Sequence, residues 1–239
     1  MMEKEISFMS EKFASEGFTF SKMQMRQFYQ FYHLLIEKNK VMNLTAITDF
    51  EDVVEKHFID SLLLNRIVDF SKPLSVLDLG TGAGFPGIPL KIAYPQIPIM
   101  LLDSLKKRVL FLDEVIEKLE LNHVETKHGR AEEMSRDKTY REQYGLCVSR
   151  AVANLSTLSE YALPFVRVGG MFIAYKSGDI EQEVKDAKRA CFLLGGVIKQ
   201  IDRFSFSGNK RSLVVIEKAK KTPASYPRKA GVPSKSPLQ

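Results

Sequence analysis

The stretch VLDLGTGAGFPGIPL, Val76 to Leu90, constrains the fold of this chain more than any other. A short apolar run ends at Gly80, and Gly82, Gly84 and Gly87 follow before the next apolar segment, IPLKIAY. Apolar runs of this length bounded by glycine read as buried strands. Glycine then lets the backbone turn tightly into a helix and lie close against a ligand. A strand, a glycine turn and a helix in that order open a doubly wound parallel sheet.

The rest of the chain repeats the alternation. IPIMLLD, HVETKH, GLCVS and GMFIAYK are strand candidates, and SLKKRVLFLDEVIEKLEL is a helix carrying Val109, Leu112, Val115, Ile116 and Leu119. Further helices fall at about 156–165 and 180–194. VIKQIDRFSF and RSLVVIEK, separated by SGNK, read as a closing hairpin, so the expected fold is α/β with a mostly parallel sheet and one antiparallel strand near the edge. Residues 3–67 read as helical, with Met25, Phe28, Tyr32 and Leu35 on one face, Val54, Phe58 and Leu62 on another, and a turn at VMNLTAI between them. The organisation expected is a helical segment at 1–73, an α/β domain at 74–218 and a basic, proline-rich tail at 219–239 whose apolar content is too low for a core.

Charge is unevenly placed. Six of the 35 Lys and Arg residues follow Glu217 without a single acid, and the remaining 29 are matched by 29 acidic residues. A neutral body with a basic tail suits a polyanionic partner. No apolar run approaches the roughly 20 residues that cross a bilayer, and MMEKEISFMSEKF lacks the apolar core of a signal peptide, so a cytoplasmic protein is expected. Two cysteines and four scattered histidines suggest neither a disulfide framework nor a metal site.

Gly82, Gly84 and Gly87 satisfy the dinucleotide fingerprint, yet two features oppose a diphosphate. Pro86 and Pro89 remove N–H donors from the helix turn that would bind it, and Asp78 sets a carboxylate just before the loop. S-adenosyl-L-methionine fits better, with two cationic groups, no phosphate and a ribose diol. Gly80, Gly82 and Gly84 would let the backbone lie against its methionine and sugar. Asp103, ending the next strand, would accept from the ribose hydroxyls, with a helix cap as its alternative role. Ala131 and Glu132 in GRAEE fall where the adenine would lie, Glu132 accepting from the amino group or a backbone N–H touching the ring.

VLDLGTGAGFPGIPL, LLDSLKKRVLFL, GRAEE, SRAVANL and the terminal YPRKAGVPSKSPL together closely resemble the bacterial small-subunit ribosomal RNA methyltransferase G family, also called glucose-inhibited division protein B. The likeness runs from Met42 to the tail. It implies a class I, Rossmann-like S-adenosylmethionine-dependent methyltransferase with an N-terminal helical extension. It further implies methyl transfer to N7 of one guanine in 16S rRNA, with cofactor contacts at Gly80, Phe85, Ala131, Glu132 and Arg150.

The residues are compatible with that chemistry. The Asn/Asp-Pro-Pro-aromatic motif of amine methyltransferases is missing, and Cys147 lies inside a strand, where a thiol is usually buried and inert. Guanine N7 has a free lone pair, so positioning can suffice without a base. Arg150 is the leading active-centre candidate, as a contact to the cofactor carboxylate, guanine O6 or a phosphate. Lys176, at the same rim, is a phosphate contact or a solvated strand end. His57, Asp60 and Ser61 resemble a hydrolase triad, but their spacing on one helix favours local bracing of Asn43 and Thr45. Asn43 is left between the cofactor pocket and the RNA entrance. Arg228, Lys229 and Lys235, with Tyr226, are expected to meet RNA, and the tail could also fold back over the glycine loop. The partner is then 16S rRNA or the small ribosomal subunit, and the protein a monomer. Two other readings are a non-catalytic RNA-binding factor that senses the cofactor, and an NAD-dependent oxidoreductase.

Overall fold

The computed structural model describes residues 2–150 and 153–238. Its frame is a seven-stranded sheet in the order β3-β2-β1-β4-β5-β7-β6. The strands are β1 Val76–Leu79, β2 Ile99–Asp103, β3 Val124–His128, β4 Tyr144–Ser149, β5 Val166–Ser177, β6 Gly196–Phe206 and β7 Asn209–Lys218. The first five pair in parallel, and β7 runs antiparallel between β5 and β6. The order reverses beside β1, leaving a crevice at the carboxyl ends of β1 and β4 where ligands of such sheets bind.

The hairpin is tighter than the sequence suggests. Its ladder continues to Phe206 opposite Asn209, so only Ser207 and Gly208 turn, with φ of 47° and 72°. Two positive φ angles match the right-handed twist of the strands they join.

The amino-terminal helices α1 (Met2–Ser15) and α2 (Lys22–Met42) are not a separate body. Ser21 caps α2 reciprocally with Gln24, and Asn43 ends it in the left-handed region. The buried stripe of α2 is Met25, Phe28, Phe31, Leu34 and Leu35; Tyr32 instead packs edge-on against Phe50 and donates to the Thr48 carbonyl. Residues 50–66 form one irregular helical segment, α3 (Phe50–Val53), a π-helical turn (Val54–Ile59), α4 (Asp60–Leu62) and a 3₁₀ turn. Aromatic rings then knit these helices to the glycine loop: Phe28 lies 5.3 Å from Phe58, and Phe31 lies 5.4 Å from Phe85. The same apolar cluster takes in α5 (Gly87–Ala93) and α6 (Lys106–Lys118).

The opposite face of the sheet is covered by α8 (Leu155–Ala162) and α9 (Glu181–Leu193), which bury a second cluster. The tail has no core of its own, as composition requires, but it borrows this one: Tyr226 and Leu238 pack against it and Pro227 and Pro233 are buried. Lys218 is fully buried, its ammonium donating to the Leu163 carbonyl and to Thr222 and facing Glu142.

Candidate active site

The glycine loop is shaped from beneath by Asp78. Its Oδ2 accepts from Thr81 Oγ1 (2.6 Å) and from the Gly87 N–H (2.8 Å), so the first donor of α5 is spent on a buried carboxylate. The Ile88 and Leu90 N–H groups go to the carbonyls of Gly84 and Pro86, and Pro89 has none, so this helix start offers no donor to a diphosphate. Asp78 Oδ1 is buried without a hydrogen-bond partner, and burial pushes the carboxyl up to about 7. Gly82 (φ 61°) leaves its Cβ position open, the kind of bare backbone a ligand can approach. Gly84 is different: a Cβ there would sit 2.6 Å from Ile88 Cγ1, so this glycine serves helix packing.

Beside the loop is a cavity of about 330 Å³ whose wall includes Gly80, Asp103, Arg130, Ala131, Glu132 and Tyr161. Asp103, at the end of β2, accepts from the N–H of Gly82 (2.9 Å) on one oxygen and of Leu105 (2.8 Å) on the other. It therefore acts as the turn before α6 while tying that turn to the glycine loop. Ala131 and Glu132 open the short helix α7 (Ala131–Met134), and Glu132 is buried. The cavity's lining carries two carboxylates and one cation, Arg130, with Arg108 behind it 3.5 Å from Asp103 Oδ2. Acceptors in this excess, with an orphaned Asp78 oxygen below, fit a ligand bearing hydroxyls and amines and repel one bearing phosphates.

A second cavity of about 700 Å³ opens along the same edge, lined in part by His57, Asp60, Arg150, Tyr175, Lys176 and Arg211. Ser149 and Ala153 lie on the wall of the first cavity, and Arg150 and Asn154 on that of the second. Arg150 reaches from the end of β4 to the π-helical turn. Its Nη1 donates to Asp60 Oδ2 (3.1 Å), its Nη2 to His57 Nδ1 (3.1 Å), and its guanidinium lies 4.9 Å from the Phe85 ring centroid. His57 Nδ1 also lies 3.2 Å from the Lys56 carbonyl, and Nε2 lies 2.8 Å from Thr45 Oγ1. Burial, with the Arg150 charge alongside, pushes His57 down to about 3, so the ring is neutral. The imidazole stacks on Phe85 at 4.5 Å. A π turn widens one helical turn, and such turns recur at functional sites; here it presents His57 and Asp60 to the sheet.

The structure joins Gly80, Asp103, Ala131 and Glu132 on one wall and Arg150 and Lys176 on the other. Asp78 lies below the loop, and Phe85 lines neither cavity: its side chain is buried among Phe31, Phe58 and His57, and its N–H donates to the Thr81 carbonyl. Lys176 is held by the Ala153 carbonyl (2.8 Å) and Glu183 (2.6 Å), so it is neither a free cation nor a solvated strand end. In SRAVANL, Ala151 and Val152 lie outside the described residues. His57, Asp60 and Ser61 form no triad: Ser61 Oγ donates to the His57 carbonyl, and Asp60 faces Arg150 and Arg211. The bracing of Thr45 by His57 is present, whereas Asn43 serves as the left-handed cap of α2. Arg211 was not singled out from sequence. Its Nε donates to Asp60 Oδ1 (2.8 Å), and its Nη groups have no partner among the described residues. Among the described residues no group of three or more His, Cys, Asp and Glu could hold a metal, and no helix is long and apolar enough to cross a membrane.

A model of the family described as rRNA small subunit methyltransferase G matches residues 24–214. The chain belongs to that family. Ribosomal RNA small subunit methyltransferase G of Lachnoclostridium phytofermentans is 50% identical over 226 residues, covering 94% of this chain and 93% of its own. The protein of that name from Acetivibrio thermocellus is 49% identical with both chains covered in full. Among solved structures, M. jannaschii TYW2 in complex with AdoMet aligns with a TM-score of 0.54 at 14% identity, covering 68% of this chain and 76% of its own. TrmN from Thermus thermophilus gives 0.52 at 16% identity, over 69% and 53%. At such identities the likeness is one of fold, a class I methyltransferase sheet. Cys147 is buried within β4, and burial pushes its thiol well above the ordinary range.

Proposed function

We propose that this chain transfers the methyl group of S-adenosyl-L-methionine to N7 of one guanosine in 16S rRNA, with the small-subunit RNA or particle as its cytoplasmic partner. Family membership supports the reaction class. The observation that carries the mechanism is the pair of cavities along one edge of the sheet, with Ser149 on the wall of the smaller and Arg150 on that of the larger. The smaller cavity suits the cofactor: Gly80 and Gly82 against the methionine part, Asp103 for the ribose hydroxyls, and Ala131 and Glu132 for the adenine. The sulfonium supplies an electrophilic methyl.

The larger cavity suits the target nucleotide. Guanine N7 carries its lone pair without losing a proton, so the residues there hold and orient the base rather than deprotonate it. His57 agrees with this: pushed down to about 3, its ring is too weak a base to take a proton at neutral pH. Arg150, oriented by Asp60, His57 and Phe85, is the residue placed to touch cofactor or base. Arg211 offers its free Nη groups to guanine O6 or a phosphate. The catalytic unit is residues 74–218, and the helices of 1–73 contribute His57 and Asp60 to it. An oxidoreductase using the glycine loop is disfavoured by the spent donors of α5.

The test is incubation of the full chain with S-adenosylmethionine labelled in its methyl group and small subunits lacking the modification, with naked 16S transcript in parallel. Digestion should place label in 7-methylguanosine. Label in another nucleoside would retain the cofactor and refute the N7 assignment. Binding of cofactor with no label in any RNA would instead favour the sensing factor.

A further inference from the structure

The family model ends at residue 214, yet the chain beyond it forms part of the cavity assigned above to the cofactor. Gly231 and Ser234 line that cavity alongside Tyr161. The Gly231 N–H donates to Glu132 Oε1 (2.9 Å), while Oε2 makes no hydrogen bond among the described residues. The segment is fastened rather than draped. Arg228 donates from its backbone N–H and Nε to Oε1 of Glu160, and from Nη2 to Oε2 at 2.6 Å, and Glu160 is fully buried. Thr157 Oγ1 donates to the Pro233 carbonyl (3.0 Å), and Arg141 donates to the carbonyls of Thr222, Pro223 and Tyr226. Bidentate pairing of a guanidinium with a buried carboxylate is geometrically selective and costly to break one-sidedly. Arg228 is thereby engaged by Glu160, with a quarter of its side chain exposed, while Lys229 and Lys235 are exposed.

We infer that residues 226–238 form a cofactor-binding wall: the Arg228–Glu160 pair clamps the tail so that Gly231 orients Glu132 for the exocyclic amine of adenine. This inference rests on the cofactor assignment above and adds residues of the carboxyl-terminal tail to it. Glu132 becomes the shared acceptor of tail and ligand, so docking of one favours binding of the other. The mechanism is pre-organisation, with one carboxylate oxygen satisfied by the tail and the other left for the ligand.

The test uses the full chain and S-adenosylhomocysteine as probe, with dissociation constants measured by calorimetry. Gly231→Pro removes the N–H and cannot keep a φ of 83°. The double variant Glu160→Gln, Arg228→Gln releases the clamp without leaving a buried charge unpaired. Each is expected to weaken binding about tenfold, the loss of one hydrogen bond to a charged group. In the unaltered chain, saturating S-adenosylhomocysteine should slow tryptic cleavage after Lys229 several-fold, a readout that needs no variant to fold. Binding within about twofold of the unaltered chain in folded variants overturns the wall. Cleavage at Lys229 that ignores the ligand also overturns it. An unaltered chain that does not bind S-adenosylhomocysteine at all overturns the cofactor assignment itself, and the wall with it.

Discussion

Replacing Arg150 with Lys tests whether the guanidinium fork, rather than its charge, holds the active centre together. Lysine can keep one contact to Asp60, but it cannot also donate to His57 Nδ1 while lying flat over Phe85. The lost hydrogen bond is worth about 1 kcal/mol and the weakened stacking about 0.5–1 kcal/mol at a half-buried site. The expected destabilisation is therefore about 2 kcal/mol, which for a chain of this size lowers Tm by roughly 4–8 °C. Methyl transfer should fall further than stability does, on the order of a hundredfold in kcat/KM, because the fork lines the larger cavity, proposed above for the target base. Calorimetric melting and a labelled-methyl assay on folded variant at 25 °C separate the two effects. A variant with unchanged Tm and unimpaired transfer would show that a point charge suffices, and would refute the argument from the fork.

Protonation gives a second prediction. His57 holds its proton more weakly folded (about 3) than unfolded (6.5), so its contribution to stability is lost as pH falls through that range. Asp78 is the opposite: raised from 3.8 to about 7, it favours the folded state at low pH and loses that contribution as pH rises. Between about pH 4 and 6.5 the two slopes oppose one another, and His57→Gln should leave that of Asp78 exposed. Relative to the unaltered chain its unfolding free energy should then fall with rising pH by up to about 1.4 kcal/mol per unit, read from denaturant titrations; parallel pH profiles would contradict this. Gly87→Ala sets a Cβ 2.2 Å from Leu101 Cδ2 and 2.7 Å from Asp78 Oδ2, and should cost about 1–3 kcal/mol in the same measurement. Arg211→Gln should raise KM for the RNA substrate about tenfold while the affinity for S-adenosylhomocysteine is unchanged; a change confined to cofactor affinity would place Arg211 in the wrong cavity. Cys147→Ala should retain methyl transfer, since its thiol is buried and un-ionised, and loss of activity in a folded variant would reopen nucleophilic catalysis.

What was legible in the chain was whatever depends on neighbours in sequence. The glycine loop, the alternation of strands with helices and the acid ending β2 are local patterns, because periods of 2 and 3.6 residues and the φ freedom of glycine act over a few positions. The carboxyl-edge location of the site follows from that alternation alone. Tertiary structure decided the rest through charges that meet across long separations. Asp60 reads as part of a local helix motif, but its partners are Arg150 and Arg211, on the ends of two sheet strands. The tail reads as a basic segment suited to RNA, because sequence counts charges without their partners; folding brings Arg228 onto Glu160 and buries Lys218 against the Leu163 carbonyl and Thr222. Burial makes an unpaired charge expensive, so each such residue must find a counterpart, and which counterpart it finds is set by how the elements pack.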